Sequence, residues 1–216
     1  MSKLFLLFAG LMALASCNKE RIKGSGSTTT ETRSVSNFTK VNISGSGSVH
    51  ITKGNSFSVQ VKGYSNLLPY YETELNGGTL ELHYRNGVSV SNSNIEVLIT
   101  MPEIASLRSS GSTTSDIKGP FDCNTLDVNV SGAGDVLIEG AVVNQFNLSV
   151  SGSGTLKAFG MTAVRADIDI SGSGKTELTV TGHLKVDVSG SGTVYYKGSP
   201  AVVESDISGS GKLIHQ

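Results

Sequence analysis

Tryptophan is absent from this chain, proline occurs only 4 times and cysteine only twice, and aromatic residues make up 6%. Two cysteines close at most one bridge, so no disulfide framework holds the protein together. Charge is scarce too. Charged residues are 16% of the chain, and 17 basic against 18 acidic groups leave no cationic surplus for a polynucleotide, which excludes nucleic acid as the expected partner. What the chain does have is glycine, 26 in 216 residues. With so little proline and no collagen period, that glycine implies many sharp turns in a chain long enough to bury a core unaided.

Lys3 precedes an apolar run from Leu4 to Ala15, too short to span a bilayer core of about 20 residues but suited to a secretory signal. Leu14-Ala15-Ser16-Cys17 resembles the bacterial lipobox, in which small residues before a cysteine admit lipid transfer and cleavage. Cys17 is then the expected lipid attachment site, residues 1–16 the signal peptide, and the membrane a partner through that anchor. Each buried methylene contributes roughly 0.8 kcal/mol, so several acyl chains hold durably where one does not. The expected location is the bacterial cell envelope, with the outer membrane favoured and its face open. Residues 17–33 carry almost no apolar side chains and read as a flexible tether, with Gly24-Ser25-Gly26-Ser27 as linker.

Self-similarity dominates the remainder of the chain. Ser-Gly-Ser-Gly or a near variant begins at Ser44, Ser110, Ser131, Ser151, Ser171, Ser189 and Ser208, and from Ser110 the intervals are 21, 20, 20, 18 and 19 residues. Before each serine the apolar residues alternate, as in Leu126, Val128, Val130 and in Phe146, Leu148, Val150. Alternation also continues beyond it, as in Val136 and Ile138, and Gly119, Gly140, Gly160 and Gly198 recur at a second corner. Period two at this spacing predicts an all-β chain with two strands per coil, stacked as a β-solenoid with parallel rungs about 4.8 Å apart. Residues 105–216 form this repeat region. Residues 34–104 break the period. Asn76-Gly77 and Asn86-Gly87 there lie between alternating runs and suit two hairpins, so this stretch reads as an antiparallel N-terminal lobe that caps one end.

The run from Arg33 to Leu82, with Val41-Asn42-Ile43-Ser44-Gly45-Ser46-Gly47 at its centre, and the later Ser-Gly-Ser-Gly units resemble the bacterial DUF2807 family, also called putative auto-transporter adhesin, head GIN domain. The resemblance covers nearly all of the chain beyond Arg33. It implies an all-β, solenoid-like fold in secreted or lipid-anchored proteins, many from Bacteroidetes, and its name implies adhesion. It supplies no catalytic residues.

The residues themselves offer little chemistry. No Gly-x-Ser-x-Gly elbow occurs, and His50, His83, His183 and His215 lack zinc-ligand spacing, so no catalytic residue, metal or cofactor is expected. Cys123 is left alone after processing and reads as a buried, inert thiol. One constellation arises from stacking. If successive units are adjacent rungs, Asp169, Asp187 and Asp206 form an outward carboxylate ladder. Such a ladder repels itself unless lysines offset it or an ion such as calcium, or a sugar held through one, compensates. The expected function is a non-enzymatic, lipid-anchored envelope protein presenting its solenoid for adhesion or for binding glycan or envelope polymer. The alternatives are a polysaccharide-cleaving β-helix enzyme and a structural scaffold that associates with itself as a homo-oligomer.

Overall fold

The computed structural model describes residues 20–216; Cys17 and the signal segment lie outside the described residues. The N-terminal part contributes β1 (Glu20–Lys23), β2 (Thr28–Arg33), β3 (Lys40–Lys53), β4 (Ser58–Tyr64), β5 (Tyr71–Asn76), β6 (Thr79–Tyr84), β7 (Val88–Ser91) and β8 (Glu96–Met101). The repeat region contributes β9 (Ser106–Lys118), β10 (Asp122–Gly132), β11 (Asp135–Gly152), β12 (Thr155–Gly172), β13 (Lys175–Gly190), β14 (Thr193–Lys197), β15 (Val202–Gly209) and β16 (Lys212–His215). A single 3-10 turn, Leu68–Tyr70, is the other regular element among the described residues.

The chain is a β-solenoid of about six turns. Its seven serine corners lie one over another: Ser44 pairs with Ser110, then Ser131, Ser151, Ser171, Ser189 and Ser208 continue in unbroken parallel register. Each corner glycine has positive φ, from 100° at Gly111 to 133° at Gly172, which only a residue without a Cβ adopts freely. The stack also leaves no room for a side chain. A Cβ on Gly152 would stand 2.5 Å from the carbonyl oxygen of Gly132, which already accepts the Ser153 amide at 2.9 Å. Glycine therefore sets both the turn and the spacing between rungs.

Each full coil has three sides rather than the two that the alternation implies. In β11 the inward residues are Val136 and Ile138, then Ala141 and Val143, then Phe146, Leu148 and Val150. The phase slips at Glu139-Gly140 and again at Asn144-Gln145, where two successive residues face out. The second slip carries no glycine, which is why the sequence hides it. The 18-residue interval after Ser171 is absorbed at both slips: Ala158 lies beside Leu178 and Thr162 beside Thr179, so residues 159–161 have no counterpart, and one residue is regained between Val180 and His183, which lie beside Ala163 and Arg165. Phe146, Leu148, Ile168, Leu184 and Val186 fill one continuous core with Phe38, Leu80 and Ile99 of the N-terminal part.

That N-terminal part is more deeply joined to the repeat than an antiparallel lobe would be. β3 is itself the first rung, parallel to β9 along its length, and β6 and β8 lie parallel beneath its two halves. The 66 residues between Ser44 and Ser110 are thus an excursion that returns to the same stack. Antiparallel pairing comes below it, with β5 on β6 and with β4 on β8 and β2 on β4. Asn76-Gly77 does turn a hairpin, since Asn76 pairs with Thr79. Asn86-Gly87 does not, because β7 turns away from β6 and pairs with β1.

Residues 20–33 also differ from a loose tether. β1 is bound to β7 and β2 to β4, and Gly24 is buried between them. Apolar content misleads here because the strands add to sheet edges through backbone hydrogen bonds and need few buried side chains. At the far end β15 and β16 pair on one side only, and Val203 in the core column is 43% exposed.

Candidate functional site

Side 1 of the solenoid, made of the segments that run into each serine corner, carries two outward columns. One reads Lys40, Ser106, Asp127, Asn147, Asp167, Lys185, Glu204; the other reads Asn42, Arg108, Asn129, Ser149, Asp169, Asp187, Asp206. Their alternation with core valines and leucines fixes every one of these side chains outward. Between Thr79 and Glu81 of β6 and Asp187 of β13, the columns line a groove of about 690 Å³.

Charge is mixed along this groove. Lys40 and Arg108 stand at the N-terminal rungs and make no ion pair among the described residues. Glu81 lines the same end, accepting from Asn42 Nδ2 at 2.6 Å, and Asn129, Asn147 and Ser149 share the middle with Asp127 and Asp167. Asn147 Nδ2 donates to Asp127 Oδ1 at 2.7 Å, and Gln145 Nε2 donates to Asn147 Oδ1 at 2.8 Å and to Asp167 Oδ2 at 3.1 Å. Arg165 Nε in turn donates to Gln145 at 3.2 Å.

Carboxylates gather at the C-terminal rungs. Asp169 lies laterally beside Asp187 and Asp187 beside Asp206, so the three predicted residues are neighbours. Lys185 Nζ sits 3.1 Å from Asp187 Oδ2, and that hydrogen bond holds the ammonium pKa above its ordinary value. Asp169 and Asp206 have no such cation among the described residues.

Two further clusters form across strands, where linear spacing gives no signal. On the β5–β6 hairpin His83 Nδ1 lies 3.8 Å from Glu72 Oε2 and its Nε2 4.0 Å from Glu74 Oε2, close enough for the three to share one ion. On the side formed by the segments that leave the serine corners, His50 bonds the buried Asp116 carboxylate and lies 3.6 Å from Glu96, whose other oxygen accepts from Lys62 at 2.7 Å. The Lys62 hydrogen bond holds Glu96 below the usual carboxylate range. Cys123 is buried and donates to the Ile104 carbonyl at 3.3 Å, and burial pushes its thiol pKa up, away from reactivity.

A three-sided parallel β-solenoid, closed by strands at one end and grooved along one side, is the class that this geometry defines. Residues 37–200 match the DUF2807 family, putative auto-transporter adhesin, head GIN domain, and the chain belongs to that family. Crystal structures share the fold. A putative adhesin from Bacteroides fragilis NCTC 9343 superposes with a TM-score of 0.70 at 21% identity, covering 90% of this chain and 100% of that one. A putative lipid binding protein from Parabacteroides distasonis ATCC 8503 gives 0.65 at 22% identity, over 91% and 100%. A putative adhesin from the same organism gives 0.59 at 22%, again over 91% and 100%. Among curated proteins none matches the chain.

Proposed function

We propose that this protein is a non-enzymatic, lipid-anchored adhesin of the bacterial cell envelope, and that the side 1 groove binds an extended glycan or envelope polymer. The observation that carries this reading is the groove itself: an open trough several rungs long, lined by amides, hydroxyls and carboxylates, with the unpaired cations Lys40 and Arg108 at its N-terminal rungs. Amides and carboxylates are the groups that bind sugar hydroxyls, and Arg108 offers a fork to a carboxylate or sulfate on the chain. The family and the adhesins that share its fold support a role in attachment rather than turnover. Cys17 in its lipobox, succeeded directly by a folded body, supports anchoring.

The test is a screen of glycans and envelope polymers against residues 18–216, which retain every described strand. Binding without release of reducing ends is expected, and Arg108→Gln weakens it about tenfold, the loss of one charged hydrogen-bond donor. Binding by no polymer, or cleavage of one, overturns the reading.

A further inference from the structure

The lipid anchor proposed above acquires a direction from the first strand. β1 runs parallel to β7 over Glu20–Lys23, its ends tied by Glu20 N donating to Gly87 O at 2.9 Å and Gly24 N donating to Ser91 O at 2.8 Å. Two asparagines fasten the next turn: Asn92 Nδ2 donates to Gly24 O at 2.8 Å, while Asn66 accepts from the Ser25 amide at 3.0 Å and donates to Lys23 O at 2.9 Å. Glu20 is therefore already fixed to the folded body. Two residues, Asn18 and Lys19, separate it from Cys17, so the three Cα–Cα steps reach about 10 Å at full extension, where a loose segment of residues 17–33 would reach about 60 Å.

An acylated Cys17 would thus hold the β1–β7 ribbon within about 10 Å of the lipid surface. The ribbon's surroundings suit that position. Arg21, Lys23 and Arg85 are exposed cations, and Lys19 precedes the strand. Glu20 is the ribbon's own counter-charge, 4.0 Å from Arg85, whose guanidinium stacks 4.9 Å from the centre of the Tyr70 ring, while Glu72 and Glu74 lie on the adjoining hairpin beside His83. Each cation near an anionic bilayer contributes on the order of 1 kcal/mol, and an aromatic ring with a polar tip favours the headgroup level. The serine corners, one of the three edges on which the solenoid could lie, carry no such charge: Ser131, Ser151, Ser171 and Ser189 succeed one another there.

We propose that the N-terminal end of the solenoid docks directly on an anionic phospholipid surface and that the stack rises away from it. The inference rests on lipidation of Cys17. Lys40 and Arg108 then lie nearer the bilayer, while Asp206 and the open edge of β15 lie about 29 Å further out, six rung spacings from the first.

The experiment uses the full lipidated chain in vesicles of phosphatidylglycerol and phosphatidylethanolamine, in a Cys123→Ala background with one new thiol each from Asn86→Cys, Ser153→Cys or Ser210→Cys. Energy transfer from a dye on that thiol to an acceptor in the headgroups should fall in that order, at least threefold from Asn86 to Ser210. Neutralising Arg21, Lys23 and Arg85 together with glutamine should leave the Asn86 signal high, since the tether persists, and should narrow the spread between Asn86 and Ser210 by at least half, since the stack is then free to tilt. Equal transfer from all three positions, or a reversed order, in protein that floats with the vesicles overturns the orientation. Flotation of Cys17→Ser reports on the anchor separately: if that variant still floats, the anchor reading fails whatever the dyes show.

Discussion

A methyl group on Gly132 would stand 2.7 Å from the carbonyl oxygen of Gly111, one rung below, whereas a methyl on Gly45 at the first rung would meet nothing within 4 Å. The two glycines share nearly the same backbone, with φ of 106° and 104°. Replacing each by alanine therefore separates two costs. Gly45→Ala is expected to lose about 1 kcal/mol from the backbone alone, and Gly132→Ala a further ~1–3 kcal/mol from overpacking. Urea unfolding of the two variants measures the difference; equal losses would mean that the stack tolerates a side chain at its corner.

The carboxylate ladder gives a prediction of opposite sign. Asp169 faces Asp187 with no cation of its own among the described residues. Asp169→Asn should raise the melting temperature at low ionic strength by a degree or so, consistent with relief of a few tenths of a kcal/mol, and the gain should vanish in about 1 M salt. If the ladder holds calcium, the ion at ten times its dissociation constant for that site should stabilise the wild type by about 1.4 kcal/mol more than the Asp169, Asp187, Asp206 to Asn variant. Thermal melts with and without calcium decide both points.

Acid stability should depend on Glu96. Its folded pKa is depressed, first by the Lys62 hydrogen bond, so its contribution is complete above the unfolded value near 4 and is lost as pH falls through the lower folded value. Between pH 7 and pH 3 the wild type should therefore lose more stability than Glu96→Gln, read as the shift in urea midpoint.

Phe146 tests the corner that joins the hidden third side to side 1. It is fully buried just after the second phase slip, against neighbours from adjoining coils. Truncation to alanine should cost about 3–5 kcal/mol. A cost below about 1 kcal/mol, measured by calorimetry, would show that the corner at Asn144-Gln145 does not close on a packed core.

Stacking was legible in the sequence because Ser151 and Ser171 repeat a corner whose chemistry admits little else, and the Asp169, Asp187 column came with it. Other features were not. Asn144-Gln145 turns the chain with residues that serve equally well in a strand, so only the change of phase betrays it. Ser44 belongs with Ser110, but an excursion between them disguised the first rung as part of a separate lobe. Thr28–Arg33 looked like solvent-loving linker because an edge strand is held by its backbone. His83 meets Glu72 and Glu74 across a hairpin, a contact that no interval along the chain encodes.

Because the coils from Ser131 and from Ser151 match residue for residue at the corner and along side 1, the molecule behaves like a ruler graduated in whole coils. Removing twenty residues at one corner rejoins Gly132 chemistry to Gly152 chemistry and shortens the trough by one graduation. Removing ten would set a corner against a flat side. Evolution of this architecture can therefore change the length of the binding surface in steps, without redesigning either end.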